Sequence, residues 1–192
     1  LNALAERQDW QDLVVFGGLL IEPYGFVQQP GVRFISGFFG PIERMLIGAG
    51  APIDYLPADF LGWERYARAL RPRAVATAVA PMDERGYFSF GLHAGATYES
   101  FVAACRDPER LAIVEVIADM PHVYGLGQFG GHRVHVSEVD AVVESDRSAF
   151  VLPEVPATDA DRVIGAHVES LVPDGATLQF GIGGIPNIVA QR

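Results

Sequence analysis

A chain of 192 residues, 49% apolar and with mean hydropathy +0.20, has room for one sizeable core and the start of a second domain. A net charge of −10 argues against nucleic acid and anionic membranes as partners, and no apolar run reaches the roughly 18 residues of a membrane span. The single cysteine, Cys105, excludes an internal disulfide and fits a reducing cytoplasm.

Leu13-Val14-Val15-Phe16, closed by Gly17-Gly18, reads as a buried strand, and Val32-Arg33-Phe34-Ile35 as a second. Pro41 opens a helix whose Ile42, Met45 and Leu46 fall at i, i+3, i+4. Ile53 to Leu56 is a short strand. A helix from Asp59 places Phe60, Trp63 and Ala67 on one face and stops at Pro72. Ala74 to Ala80 has the small, β-branched composition of a strand covered on both faces. Pro81 to Gly86 is a turn, and Tyr87-Phe88-Ser89-Phe90 alternates as a strand would. The next helix carries Tyr98, Phe101, Val102 and Cys105 on one side.

Leu111 to Ile117 is the clearest central strand. Gly125 to Gly131 is a glycine-rich loop, left through the alternating run His132 to Val136. Val139 to Val143 is another strand. Pro153 and Pro156 bracket an interdomain connector, so residues 1–152 form one domain and 153–192 begin a second. Thr158 or Asp159 caps a helix with the core stripe Ile164, Val168 and Leu171. Pro173-Asp174-Gly175 then turns the chain into a strand, Thr177 to Phe180. The alternation predicts an α/β class with a mainly parallel sheet and flanking helices.

The most informative stretch follows: Gln179-Phe180-Gly181-Ile182-Gly183-Gly184-Ile185-Pro186-Asn187. Pro186 suits the first turn of a helix. A glycine turn ahead of a helix N-terminus presents backbone N–H groups to an anion or a developing oxyanion. The spacing completes neither a dinucleotide fingerprint nor a P-loop. Glycines alone fit a structural turn equally well.

Other chemistry-bearing residues have plainer readings. His132 and His135 lie three apart on a strand and point to opposite faces, so they do not share a metal. His93 and His122 fall in loops, and no metal or thiol site with Cys105 is expected. Asp83 and Glu84 belong to a solvated turn. Glu115, Glu138 and Glu144 are structural or solvated.

The glycine loop resembles the GIGxIPxAV loop of the acetyl-CoA hydrolase/transferase family, a branch of the class I CoA-transferases. Pro173 to Gln179 is similar to that family's I-x-D-G-x-T-L-Q lead-in, and Pro81 to Gly91 to its S-P-P-D-x-x-G-Y-x-S-L-G segment. Val114-Glu115-Val116, Met120-Pro121 and Tyr124-Gly125 follow its E-V-N-x-x-M-P-R-T-Y-G stretch. Val139 to Glu144 resembles its I-D-x-I-V-E, and Phe38-Phe39-Gly40 with Arg44 its F-x-G-x-x-x-R element. These blocks run in family order from about Phe34 onward. Two departures stand out: Ile117 replaces a usual asparagine, and His122 a usual arginine.

The resemblance implies a CoA-transferase-like N-terminal domain plus the first elements of a second. It implies an enzyme that moves CoA between carboxylic acids or hydrolyses an acyl-CoA. The family's nucleophile is a glutamate several tens of residues beyond the glycine loop. It takes the acyl group as an anhydride and then CoA as a glutamyl-CoA thioester. On this reading the chain is the front part of such an enzyme and is inactive alone. Gln179, Gly181, Ile182, Gly183, Gly184, Ile185 and Pro186, with Met120 and Pro121, line the acyl-CoA pocket. No catalytic residue and no metal ligand falls within the chain, and CoA enters as a thioester substrate, not a resident cofactor. The implied partners are acyl-CoA, a small carboxylate, a C-terminal domain or partner subunit, and further copies of the chain. A non-catalytic interaction domain, or one subunit of a two-chain transferase, remain as alternatives.

Overall fold

The computed structural model describes residues 3–93, 97–125, 131–151 and 156–191. The core of the predicted glycine-rich loop, residues 126–130, and Pro153 of the predicted connector lie outside them. The chain divides into two compact units, Leu1–Phe150 and Val151–Arg192.

The first unit is α/β with parallel sheets, as the alternation predicts. Strands β1 (Leu13–Gly17), β2 (Val32–Ser36) and β3 (Ile53–Tyr55) form one parallel sheet in the order β1-β2-β3. Strands β4 (Ala74–Val79), β6 (Leu111–Ile117) and β8 (Ala141–Ser145) form a second, with β6 central. Between them in sequence, β5 (Tyr87–Ser89) pairs antiparallel with β7 (Arg133–His135).

A short α1 (Ala3–Glu6) precedes the first sheet. Helix α2 (Pro41–Gly48) begins at its proline, where a missing N–H costs nothing. Helix α3 (Phe60–Leu70) is capped by Asp59, whose carboxylate accepts from Gly62 N at 2.5 Å. Trp63 and Ala67 on its inner face are buried, and Trp63 stacks on Phe16 at 4.3 Å between ring centres. Helix α4 (Tyr98–Cys105) buries Phe101 and Ala104 against β4 and β6.

Apolar cores sit on each sheet. One gathers Phe26, Phe34, Val32 and Leu46; the other Phe90, Phe101, Val79 and Val114. Ser89 is fully buried and pins a loop. Its hydroxyl donates to Val123 O at 2.8 Å and accepts from Val123 N at 2.9 Å and Gly91 N at 3.1 Å. Ser89→Ala leaves these buried groups unmatched and should lower stability by about 1–3 kcal/mol, read from urea denaturation.

Several sequence expectations need correction. Strand β4 alternates buried Val75, Thr77 and Val79 with exposed Ala74 and Ala76. It lies at a sheet edge and is not covered on both faces. Strand β8 starts two residues later than Val139, because Asp140 is spent on the join: its N–H bonds Ala112 O at 2.9 Å and its carboxylate takes Ala112 N at 2.8 Å. On α2, Met45 is exposed, and the fully buried side chains are Leu46 and Glu43.

The second unit contains α5 (Asp159–Glu169) and α6 (Gly184–Gln191). Thr158 caps α5 in a reciprocal box with Asp161. The predicted core stripe of α5 is outward: Ile164, Val168 and Leu171 are exposed, Leu171 to 82%. The buried residue is Gly165, whose missing side chain makes room for Ile188 of α6. Residues 177–180 form no strand ladder among the described residues, because no extended partner lies beside them in this unit.

Candidate functional site

The glycine turn leads into α6, whose first residue is Gly184. Gly183 has φ of +151°, on the side that side-chain-bearing residues rarely adopt, and this conformation sets the entry angle of the helix. Asn187 N closes the turn by donating to Gly183 O at 3.1 Å. The first N–H groups of a helix have no intrahelical partner, so Gly184 and Ile185 present donors at the positive end of α6. Pro186 contributes none, which narrows the donor set to the residues before it.

A cleft of about 230 Å³ opens beside this turn. Gln179, Gly181, Ile185 and Pro186 line it, with Leu178 and Phe180 supplying apolar wall and Val168 of α5 closing one side. Its volume falls below the ~300–1,000 Å³ of drug-sized ligand pockets. Ile182 points away and is 87% exposed. Gln179 donates locally to Phe180 O at 2.8 Å. Beneath the turn, Asp161 lies close to Gly184: a methyl added there would meet its carboxylate at 3.6 Å, an ordinary contact.

Met120 and Pro121 belong to the first unit. Met120 is buried with Ala80 and Ile117 in a small apolar cluster and packs under Gly91. Ile117 itself is buried in that cluster, so no polar group stands where the family carries asparagine. Both ring nitrogens of His122 are enclosed without a hydrogen-bond partner.

The remaining candidates occupy separate places. His132 Nε2 lies 2.9 Å from Gly91 O, and His135 Nδ1 lies 2.7 Å from Ser137 Oγ. His93 Nε2 is 3.0 Å from Ala78 O, and burial holds its pKa below the usual value. Asp83 accepts from Tyr87 N at 2.8 Å and Arg85 N at 2.9 Å, and these backbone donors lower its pKa. Glu138 accepts from His135 N at 2.9 Å. Glu115 on β6 shares a charge cluster with Arg147, which pairs with Glu22 at 3.0 Å.

Burial pushes the Cys105 thiol up to about 11. At pH 8 its thiolate fraction then falls about a hundredfold or more below that of a free cysteine. Labelling by a thiol-reactive disulfide reagent should be slow by that factor; a rate like free cysteine would contradict it.

A second, shallow depression of about 650 Å³ lies at the amino ends of β4 and β6, with Arg71, Arg73 and Arg110 around it. Arg71 is already paired, 3.0 Å from Asp107 and 3.4 Å from Glu109. Arg110 donates to Pro72 O at 2.9 Å. This is a paired, solvated surface.

Sequence reasoning missed Glu43. It is fully buried in α2, where Oε1 accepts from Leu20 N at 2.7 Å and lies 3.1 Å from Ser36 Oγ. A glutamate in a helix's first turn is common on solvated faces, and no local signal separates a buried one.

The chain is 34% identical to the butyryl-CoA:acetate CoA-transferase of Anaerostipes caccae, over 99% of its own length and 43% of that protein. The chain is a homologue of the acetyl-CoA hydrolase/transferase family of CoA-transferases. It is 32% identical to the succinyl-CoA:cyclohexane-1-carboxylate CoA transferase of Geobacter metallireducens, over 86% of the chain and 31% of that protein. The crystal structure of RipA from Yersinia pestis matches with a TM-score of 0.76 at 26% identity, covering 99% of the chain and 50% of RipA. No family model matches the chain. The chain thus spans less than half the length of these curated relatives and corresponds to the N-terminal half of the family's fold.

Proposed function

We propose that this chain supplies the N-terminal half of an enzyme that transfers CoA between carboxylic acids, with the nucleophilic glutamate outside these 192 residues. The observation that carries the reading is the Gly181–Pro186 turn at the head of α6, in a chain that aligns with CoA-transferases over 99% of its length. The glutamate attacks the acyl-CoA carbonyl, CoA leaves as thiolate, and an acyl-glutamyl anhydride forms. The thiolate then attacks the glutamyl carbonyl, releasing the acyl group as carboxylate and leaving glutamyl-CoA. An incoming carboxylate runs the sequence in reverse; water in its place gives hydrolysis. Each step passes through a tetrahedral oxyanion. On this reading the Gly184 and Ile185 N–H groups donate to it from the α6 N-terminus. The small cleft beside them takes the acyl end, while the remainder of CoA is held elsewhere. The setting is cytoplasmic; among the described residues no helix is long and apolar enough to cross a membrane.

The buried apolar setting of Ile117, and the enclosed His122 ring whose nitrogens have no hydrogen-bond partner among the described residues, favour a second reading, in which the fold persists as a non-catalytic interaction domain. Titration of the chain with butyryl-CoA, followed by amide NMR signals, separates the two. Shifts at Gln179 to Ile185 support the transferase reading, and unchanged spectra at millimolar ligand contradict it.

Leu171, Leu178, Phe180 and Ile182 are exposed on the second unit, and large apolar side chains left in solvent favour association. Sedimentation velocity should show species heavier than the 20.8 kDa chain, or a complex with a separately expressed C-terminal half. A monomer under both conditions would contradict this.

A further inference from the structure

We propose that Glu43 is a positioning residue that holds the loops following β1 and β2 in one shape, as a rim facing substrate; the substrate-facing part rests on the function proposed above. In a parallel α/β sheet, ligands sit outside the carboxyl ends of the strands. Here those ends are the segment from Gly17 to Leu20 and the segment from Ser36 to Gly40. They display Leu19 and Phe38 to solvent, with Phe39 against Tyr55 at 5.5 Å between ring centres.

Glu43 joins the two segments from below. Its Oε1 accepts from Leu20 N at 2.7 Å in the first and lies 3.1 Å from Ser36 Oγ in the second. The Ser36 hydroxyl is also 2.5 Å from Phe38 O and 3.2 Å from Gly18 O, so one serine touches both loops and the carboxyl. Phe38 N donates to Gly18 O at 2.8 Å, and Gly37 N to Gly17 O at 3.0 Å, which lays the segments side by side. Gly40 completes the fit. A methyl there would come within 2.8 Å of Glu43 Oε2 and closer still to Leu19.

The second oxygen, Oε2, is enclosed without a hydrogen-bond partner. A buried carboxyl with half its capacity unmatched is a poor way to stabilise a core, since burial without full compensation is costly. What only an acceptor in this position supplies is a partner for Leu20 N, which seats the end of the first loop beside Ser36.

The test uses the 192-residue chain with Glu43→Gln and Glu43→Leu variants, amide hydrogen exchange, and butyryl-CoA as the NMR probe. Gln keeps an acceptor for Leu20 N and should retain the exchange rates of Leu20 and Phe38. Leu removes it, and these two amides should exchange about tenfold faster, the worth of one hydrogen bond, while Val114 in β6 is unchanged. Equal acceleration at Val114 would show a merely structural role and overturn the positioning claim, as would unchanged Leu20 and Phe38. Butyryl-CoA should shift rim signals at Leu19 and Phe38 in the wild type and the Gln variant, and bind about tenfold more weakly to the Leu variant. Shifts confined to Gln179 to Ile185 would overturn the rim while leaving the proposed function standing; no shift anywhere would overturn both.

Discussion

Purified 192-residue chain, given acetyl-CoA and a small carboxylate, should release no free CoA and exchange none. The family's chemistry needs a carboxylate that becomes an anhydride and then a thioester, and among the described residues the carboxylates that are buried or lie near the glycine turn are engaged otherwise. Glu115 lies on a central strand within electrostatic reach of Arg147, Glu138 holds the His135 backbone, and Glu43 is enclosed. Asp161 is near the glycine turn, but it is engaged by both the hydroxyl and the N–H of Thr158, and these donors lower its pKa. A group so engaged is a weak nucleophile. Loss of the nucleophile removes turnover altogether, so the expected rate is the uncatalysed one. Free-thiol release and label exchange into CoA measure it. Turnover near an ordinary enzymatic rate, about 1 per second or more, would place the nucleophile inside the chain and refute the assignment.

In the chain extended to full family length, Gly183→Ala should lower kcat by roughly a hundred- to a thousandfold, the effect of losing one oxyanion donor, about 2.7–4 kcal/mol. The reason lies in the backbone. At φ of +151° an alanine is strained, by about 1–3 kcal/mol, and relief of that strain swings the N–H groups at the head of α6. Gly184→Ala is the control. Its added methyl meets Asp161 at ordinary contact distance, so the melting temperature should stay near that of the wild type. If the turn is only scaffold, Gly183→Ala lowers the melting temperature while the folded fraction keeps a normal kcat. The two measurements are therefore made together, on both variants.

Much of the first unit was legible because local chemistry and tertiary packing agree there. The β6 run Leu111–Ile117 is apolar at every position but Glu115 and becomes the central strand with those bounds. Pro41 and Asp59 mark helix starts by what their side chains do to backbone N–H groups. Misreadings arose where a residue's surroundings come from far along the chain. Glu43 is buried by loops about 7 and 23 positions away, which no period in α2 reveals. The stripe Ile164, Val168, Leu171 has the spacing of a core face, yet these side chains stay exposed, Val168 edging the cleft, and the buried contact of α5 is Gly165 against Ile188. The run Thr177 to Phe180 has strand composition without a ladder partner among the described residues. At the site, the sequence showed that glycines precede a helix. It did not show which glycine is conformationally required; the backbone singles out Gly183 over Gly184. Nor did it show that Met120 is packed into a core cluster.

The central claim is that this fold serves chemistry through a glutamyl-CoA thioester formed beyond residue 192. Mass spectrometry of the full-length protein after incubation with butyryl-CoA tests it most directly. The account predicts an adduct equal to CoA less water, on a glutamate outside residues 1–192, discharged by added acetate. An adduct on any residue of this chain, or turnover with no adduct at all, would contradict it.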